Sequence, residues 1–307
     1  MTGRIVEIAD DQRHLSKAHG FLVVSSHGEE IGRVPLDDIA AVIGNAHGLT
    51  YSNNLLVALA ERGTPFVVCS ANHNPVAMLW PIEGHYLQSG RMDAQIDAAK
   101  PTKKRLWAEI VKSKVAQQAA VLKAVGVPDK LLTTLMQRVR SGDPENIEAQ
   151  AAKRYWVLLF GEGFRRDRYA EGPNSLLNYG YTVLRAATAR AVLSAGLHPT
   201  LGLHHSNMQN AMRLVDDLME PFRPLVDYGV WVLKQANELV VNSITKQYMV
   251  QLLYQDLRTE AGITPVLLCL QHLATSLAQV YMGEKGTLDL PETVVPTDLP
   301  PFSKQSG

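Results

Sequence analysis

The chain has 307 residues, 46% of them hydrophobic, enough for one large domain or two smaller ones with a buried core. Cys69 and Cys269 are the only cysteines, so neither a disulfide framework nor a cysteine-rich zinc site is available. The formal net charge of +0 hides a division, because residues 91–190 hold 18 Lys and Arg against 10 Asp and Glu while the remainder holds 12 against 20, so a basic face can still meet phosphates.

The N-terminus, MTGRIVEIADD, meets acids early and has no apolar stretch of the signal-peptide kind, which suits a reducing, cytoplasmic protein. Residues 1–82 read as a small β-domain. Segments 5–8, 21–24, 31–34, 40–43, 65–69 and 76–80 are short, rich in β-branched residues and divided by turn-formers such as Ser26-His27-Gly28. Between them, residues 51–62 show helical apolar spacing at Leu55, Leu56 and Leu59, with Ser52 as N-cap and Gly63 as the stop. A sandwich-like β-domain with one packed helix is expected, its edges paired with another copy or covered. His14, His19, His27, His47, His73 and His85 lie here without acids at ligand spacing, and each is given a structural or surface role. Neither GxxxxGK[ST] nor GxGxxG occurs, which disfavours nucleotide hydrolysis and dinucleotide binding.

Residues 83–98 read as a linker, and residues 99–282 as a larger all-α domain, so the fold class is α+β. Helices are expected over 103–125, a basic one opening with Lys103 and Lys104 and including Lys114, and over 130–140. Asp143 with Pro144 signals a helix start. In the helix that follows, over 145–160, Glu148 sits among Ile147, Ala151, Ala152 and Tyr155, either half buried, lining a cleft, or exposed beside Lys153 and Arg154. The segment GEGFRRDRY (161–169) sets Arg165, Arg166 and Arg168 in a glycine-flanked loop with Phe164 and Tyr169. That composition suits a phosphate backbone or a stacked base, and equally a solvated loop. Residues 174–196 form an alanine-rich helix fit for close packing.

The stretch HHSNMQNAMRLVDDLMEPFR (204–223) places His204 and His205 before a helix capped by Ser206 or Asn207 and running to Pro221. Asp217 and Glu220, three apart, share one face, and Asp216 lies about 100° round the axis. Two acids and an imidazole can hold a hard divalent cation, although a solvated helix carries such acids too. Helices are also expected over 227–245 and 264–282, with His272 a core histidine. The apolar stretch 225–254 is broken by Lys234, Glu238 and Lys246 and is no membrane span. The proline-rich tail, 283–307, should be extended or disordered unless a partner pins it.

Five separated blocks match one family: VALAERGTPFVVC (57–69), EAQAAKRYW (148–156), FGEGFRRDR (160–168), LLNYGYTVLRAATARA (176–191) and GLHHSNMQNAMRLVDDLMEPFRPLVD (202–227). The chain resembles the CRISPR-associated integrase–endonuclease, the universal subunit of spacer acquisition, most nearly its compact type II form. The resemblance implies a site for Mg²⁺ or Mn²⁺ made by Glu148, His205 and Glu220, with His205 preferred over His204 and Asp217 at or just outside the ligand shell. It implies a homodimer formed through the β-domain, a small CRISPR-associated partner protein, and double-stranded DNA as substrate, both fragment and CRISPR repeat. The implied reaction is attack of a fragment 3′-OH on a repeat-end phosphodiester, which conserves bond count and needs no ATP. Arg165, Arg166, Arg168, Lys103 and Lys104 would hold the DNA backbone. Two competing readings are a non-catalytic DNA-binding scaffold and a helical metal phosphohydrolase; the latter class wants an adjacent His-Asp pair, which this chain lacks.

Overall fold

The computed structural model describes residues 4–70, 75–79, 81–82, 85–260, 262–297 and 302. The chain opens with strands β1 (Arg4–Ile8), β2 (Arg13–Ala18), β3 (Phe21–Ser26), β4 (Glu29–Pro35), β5 (Ile39–Gly44) and β6 (Thr50–Tyr51). Helix α1 (Asn53–Glu61) and strands β7 (Phe66–Cys69) and β8 (Pro75–Leu79) follow. Two turns set the register of the first sheet: His19-Gly20 and His27-Gly28 all have positive φ (47°, 83°, 50° and 89°). That is the two-residue hairpin geometry whose twist matches the strands it joins. It seats Ala18 opposite Phe21 and Ser26 opposite Glu29 in a sheet ordered β4-β3-β2-β6. Strand β2 has no counterpart among the expected segments, because RHLSKA buries only Leu15 and so shows no apolar alternation.

The second sheet runs β1-β5-β7-β8, with β1, β5 and β7 parallel. Leu15 and Leu22 from one sheet, Ile39, Val42 and Phe66 from the other, and Leu55 and Leu59 from α1 form one apolar cluster, so the two sheets sandwich a core capped by a helix. Strand β5 is buried on both faces. Val42 faces the sandwich, whereas Ala41 and Ile43 join Ile5, Val67 and the helices in the main core. A parallel strand covered on both sides reads as a continuous apolar run, as IAAVIG does. Glu7 reinforces this junction: Tyr179 donates to its Oε2 at 2.6 Å, and Asn45 and Lys246 reach its Oε1 at 2.7 and 3.0 Å.

The helical region comprises α2 (Gln88–Asp97), α3 (Lys100–Ala124), α4 (Lys130–Gln137), α5 (Ile147–Phe160), α6 (Pro173–Ser194), α7 (Arg213–Met219), α8 (Arg223–Gln235), α9 (Ser243–Gln251) and α10 (Val266–Tyr281). A short hairpin, β9 (Asp256–Thr259) with β10 (Gly262–Pro265), precedes α10. Helix α6 packs against α7, α8, α9 and α10. Within the span read as a linker, α2 docks on the region by polar anchors. Arg91 Nη1 donates to Ala195 O at 2.9 Å, and Gln95 Nε2 donates to His198 O and Leu201 O at 3.0 and 2.9 Å. Its inward residues are polar, so it carries no apolar stripe for a sequence reading to find.

Residues 227–245, expected as one helix, are divided. Asn237 takes φ 59° after α8, and Asn242 then caps α9 through a capping box with Thr245. The tail is extended as far as residue 297 and strapped to the chain's own helices. Val294 N donates to Gln117 Oε1 at 2.8 Å, Leu288 N to Glu109 Oε2 at 3.1 Å, and both Leu288 and Val294 are buried. His73, and most of the tail beyond residue 297, lie outside the described residues. Among the described residues no helix is long and apolar enough to cross a membrane.

Close packing around α6 gives a stability prediction. A Cβ at Gly180 would stand 2.6 Å from Val226 Cγ1 and meet Met249 Cε as well, whereas one at Gly90 in α2 meets nothing within 4 Å. Gly180→Val is therefore expected to cost about 2 kcal/mol by overpacking, and Gly90→Ala to leave stability unchanged or raise it by up to about 1 kcal/mol. Chemical denaturation of both variants checks the contrast, and equal effects would contradict this packing.

Candidate active site

Glu148 lies in the first turn of α5. Asn146, at φ 51°, caps that helix through Ala149 N, while the two carboxylate oxygens of Asp143 accept from Ile147 N at 2.9 Å and Glu148 N at 3.0 Å. The helix thus begins at Ile147, two residues after the expected start, with the Glu148 backbone held by a capping carboxylate. Glu220 comes from elsewhere. Helix α7 ends at Met219, the tight turn Glu220–Phe222 follows, and Glu220 is 4% exposed.

One cation joins these acids. Lys114 Nζ, from the buried side of α3, lies 2.6 Å from Glu148 Oε1 and 2.5 Å from Glu220 Oε2. Arg223 Nε stands 2.7 Å from the other Glu220 oxygen. Burial opposes the ionisation of Glu220, but Arg223 and Lys114 outweigh it and hold the carboxyl below the ordinary glutamate range. Burial likewise opposes the charge of Lys114, and Glu220 and Glu148 overcome it, holding the ammonium above the ordinary lysine range.

Asp217, expected at or just outside the ligand shell, holds the loop that carries the histidines. It is fully buried, and its Oδ2 accepts from Leu203 N at 2.6 Å and His204 N at 3.2 Å. Its Oδ1 accepts from His205 N at 3.3 Å and lies 2.5 Å from His205 Nδ1. The lone pairs of this carboxylate are spent on the loop, so it positions His205 and leaves Nε2 as the ring's available ligand atom. The approach is close enough that a Cβ at Gly202 would come within 2.9 Å of Asp217 Oδ2. His204 turns away and stacks on Trp107, ring centroids 4.4 Å apart at 3°. Asp216 is held by Arg185 Nε and Nη2 at 2.7 and 2.9 Å and by Asn210 Nδ2 at 2.7 Å, a brace for the segment that follows the histidines.

The arginine loop separates into two kinds of residue. Arg165 and Arg168 are exposed. Arg166 is half buried; it donates to Asn174 Oδ1 at 3.0 Å and Asn178 Oδ1 at 2.6 Å, and its guanidinium lies 5.5 Å from the Tyr181 ring centre. Its donors are engaged inside the fold, so it supports the loop and is not free for a phosphate. The same ring has Arg223 at 4.7 Å, and its hydroxyl donates to Asp227. Burial pushes the Asp227 carboxyl up to about 7, against the Tyr181 hydrogen bond. Lys103 is half buried and Lys104 exposed, both at the start of α3. Lys114, Arg223 and Asp227 were not among the residues expected at the site. The one sequence signal for Lys114 is its place in register with Ile110, on the buried side of an otherwise basic helix.

Among the described residues no three His, Cys, Asp or Glu side chains stand at distances that would hold a metal as they are. The Lys114 ammonium stands between the two carboxylates. The donor set still suits a hard divalent cation, since Glu148 and Glu220 already converge on one positive charge and His205 has one ring nitrogen left over.

A family model described as CRISPR associated protein Cas1 matches residues 6–260. The CRISPR-associated endonuclease Cas1 of Neisseria meningitidis serogroup C (strain 8013) is 36% identical over 277 residues, spanning 88% of this chain and 90% of that protein. Among solved structures, a casposase bound to integration product matches with a TM-score of 0.79 at 18% identity, over 93% of this chain and 92% of that one. A Cas6-RT-Cas1–Cas2 complex matches with a TM-score of 0.72 at 17% identity, over 99% of this chain and 36% of that one. The chain belongs to the Cas1 family of CRISPR-associated endonucleases.

The Asp217 contact gives a titration to measure. Its hydrogen bond, ahead of an opposing burial effect, raises His205 above the ordinary value of 6.5. A raised folded-state value means the pair stabilises the fold fully below the ordinary histidine range and loses that contribution as pH rises through the raised value. NMR titration of the His205 ring in EDTA should show a midpoint above 6.5, and Asp217→Asn should lower it. An unmoved midpoint would sink the positioning role given to Asp217.

Proposed function

We propose that this protein is a metal-dependent DNA integrase and endonuclease of CRISPR spacer acquisition, with Mg²⁺ or Mn²⁺ held by Glu148, His205 and Glu220. The observation that carries the reading is the convergence of Glu148 and Glu220, from separate elements, on one buried cation, with 2.6 and 2.5 Å contacts. Acids brought this close resist burial unless a positive charge lies between them. Solvated helix acids would not be gathered in this way.

A divalent ion bound there supplies Lewis acidity at a scissile phosphate. Glu148 and Glu220 hold the negative charge that draws it in. Asp217 keeps the His205 ring in a single orientation and the Gly202–His205 segment against α7. Arg223 neutralises Glu220 from the side away from Lys114. In integration the nucleophile is the 3′-OH of a short DNA fragment; one phosphodiester forms as another breaks and a 3′-OH leaves, so no nucleotide is consumed. The lack of a phosphate-binding glycine loop accords with this. Hydrolysis by the same residues needs only water in place of the 3′-OH.

The substrate reading rests on double-stranded DNA, both fragment and repeat, held by the exposed Arg165 and Arg168 and by Lys103 and Lys104 at the start of α3. A small Cas2-type partner accords with the complex to which this fold is similar. The β-rich region, residues 1–82, is assigned to a homodimer contact, and residues 99–282 to catalysis. The outer edge of β4 is unpaired among the described residues and bears the exposed Ile31, which favours pairing with a second copy. The setting is the cytoplasm.

Two measurements test this. Glu148→Ala, His205→Ala and Glu220→Ala are each expected to slow divalent-dependent strand transfer by at least about a hundredfold, since loss even of outer-shell metal partners reaches that scale. Wild-type rates in all three would leave a DNA-binding scaffold as the better description. For the backbone contacts, Arg165→Ala with Arg168→Ala should flatten the salt dependence of DNA affinity by roughly 1.8 in log–log slope, about 0.9 per lost phosphate contact. Arg166→Ala should instead lower thermal stability, and an unchanged slope in the double variant would return the loop to plain solvated surface.

A further inference from the structure

Lys114 is the unusual member of the site. It is 9% exposed, stands on a long basic helix among buried residues, and bridges two carboxylates that belong to α5 and to the turn after α7. An ammonium has three donors and no acceptor, so it can serve two carboxylates at once but cannot ligate a metal while charged. The other cation, Arg223, takes the opposite oxygen of Glu220 and is fixed over the Tyr181 ring at 4.7 Å. A planar guanidinium stacked on a ring is a permanent partner, whereas a lysine head on a four-carbon stem can withdraw. One position between two carboxylates holds an ammonium or a divalent ion, because both together would repel at contact distance.

We propose that Lys114 is the built-in counter-ion of the metal site: its ammonium keeps Glu148 and Glu220 converged before metal arrives and exchanges with the divalent ion when it binds. The inference rests on the metal-site reading above. Lys114 is accordingly a positioning residue that sets metal affinity. Without it the two acids would face each other with only Arg223 left beside Glu220; with it the site is preformed, and metal must compete against an intramolecular cation.

The test uses the full chain with Mn²⁺ as probe. In EDTA, Lys114→Met should melt below wild type, because the buried Glu220 and the half-buried Glu148 lose their shared cation. Free Mn²⁺ measured by EPR should show the variant binding at least tenfold more tightly than wild type, with a larger Mn²⁺-induced rise in Tm. On the wild-type protein, acetylation of Lys114 followed by mass spectrometry should be slow in EDTA and several-fold faster at saturating Mn²⁺, and this decides the question should Lys114→Met fail to fold. Equal or weaker Mn²⁺ binding by Lys114→Met, or an acetylation rate indifferent to Mn²⁺, overturns the exchange. Glu220→Gln separates the two levels. Loss of Mn²⁺ binding in that variant beside unchanged affinity in Lys114→Met removes the exchange alone, while Mn²⁺ binding unaffected by Glu220→Gln removes the metal site with it.

Discussion

A buried carboxylate needs hydrogen-bond donors or positive charge to replace water, and at Glu220 two cations meet that need. Lys114 lies against one oxygen and Arg223 against the other, at 2.5 and 2.7 Å. Those two contacts tie α3, the turn after α7 and the first turn of α8 to one point, and Glu148 adds α5 through the same lysine. Charges this closely matched explain why acids from distant parts of the chain can share a partly buried site.

The scaffold behind this point is α6. Its residue Tyr181 carries Arg223 and Arg166 near its ring and donates to Asp227, so the arginine loop and the acid site are linked through a single side chain. Burial pushes the Asp227 carboxyl up to about 7, against the hydrogen bond it accepts from Tyr181. On the N-terminal side, the same helix meets β5 and supplies Tyr179 to Glu7. The β-rich region is therefore bound to the helical one through a shared core and a polar clasp, and the span between them is a docked helix.

Local chemistry marked individual residues, and the resemblance to a known family joined Glu148, His205 and Glu220 into one candidate site. Glu148 stood out as an acid in an apolar run, and the His205 and Glu220 block as a histidine pair beside spaced acids. Asp216 fell outside the set on helical geometry alone, and the structure gives it to Arg185. Three features were hidden. Lys114 looked like one more charge on a basic helix, because burial of a lysine depends on which neighbours cover it. Asp217 was left at or just outside the ligand shell, because its spacing to Glu220 says nothing of the backbone N–H groups of the 203–205 segment that fold back on it. Arg166 looked equal to Arg165 and Arg168 until Asn174 and Asn178 claimed it.

The sequence by itself determined the order of a β-rich part and a helical part, most helix positions, and the residue types able to hold a hard cation. Periodicity and capping are local, acting over a few residues, so they survive in one dimension. Only the tertiary structure decided which charges meet. Lys114 and Glu148 are brought together from α3 and α5, and Arg91 and Gln95 anchor a helix whose inward face is polar. Partner choice inside a fold is set by three-dimensional proximity and by the cost of leaving a buried charge unpaired, and neither leaves a mark at any fixed spacing along the chain.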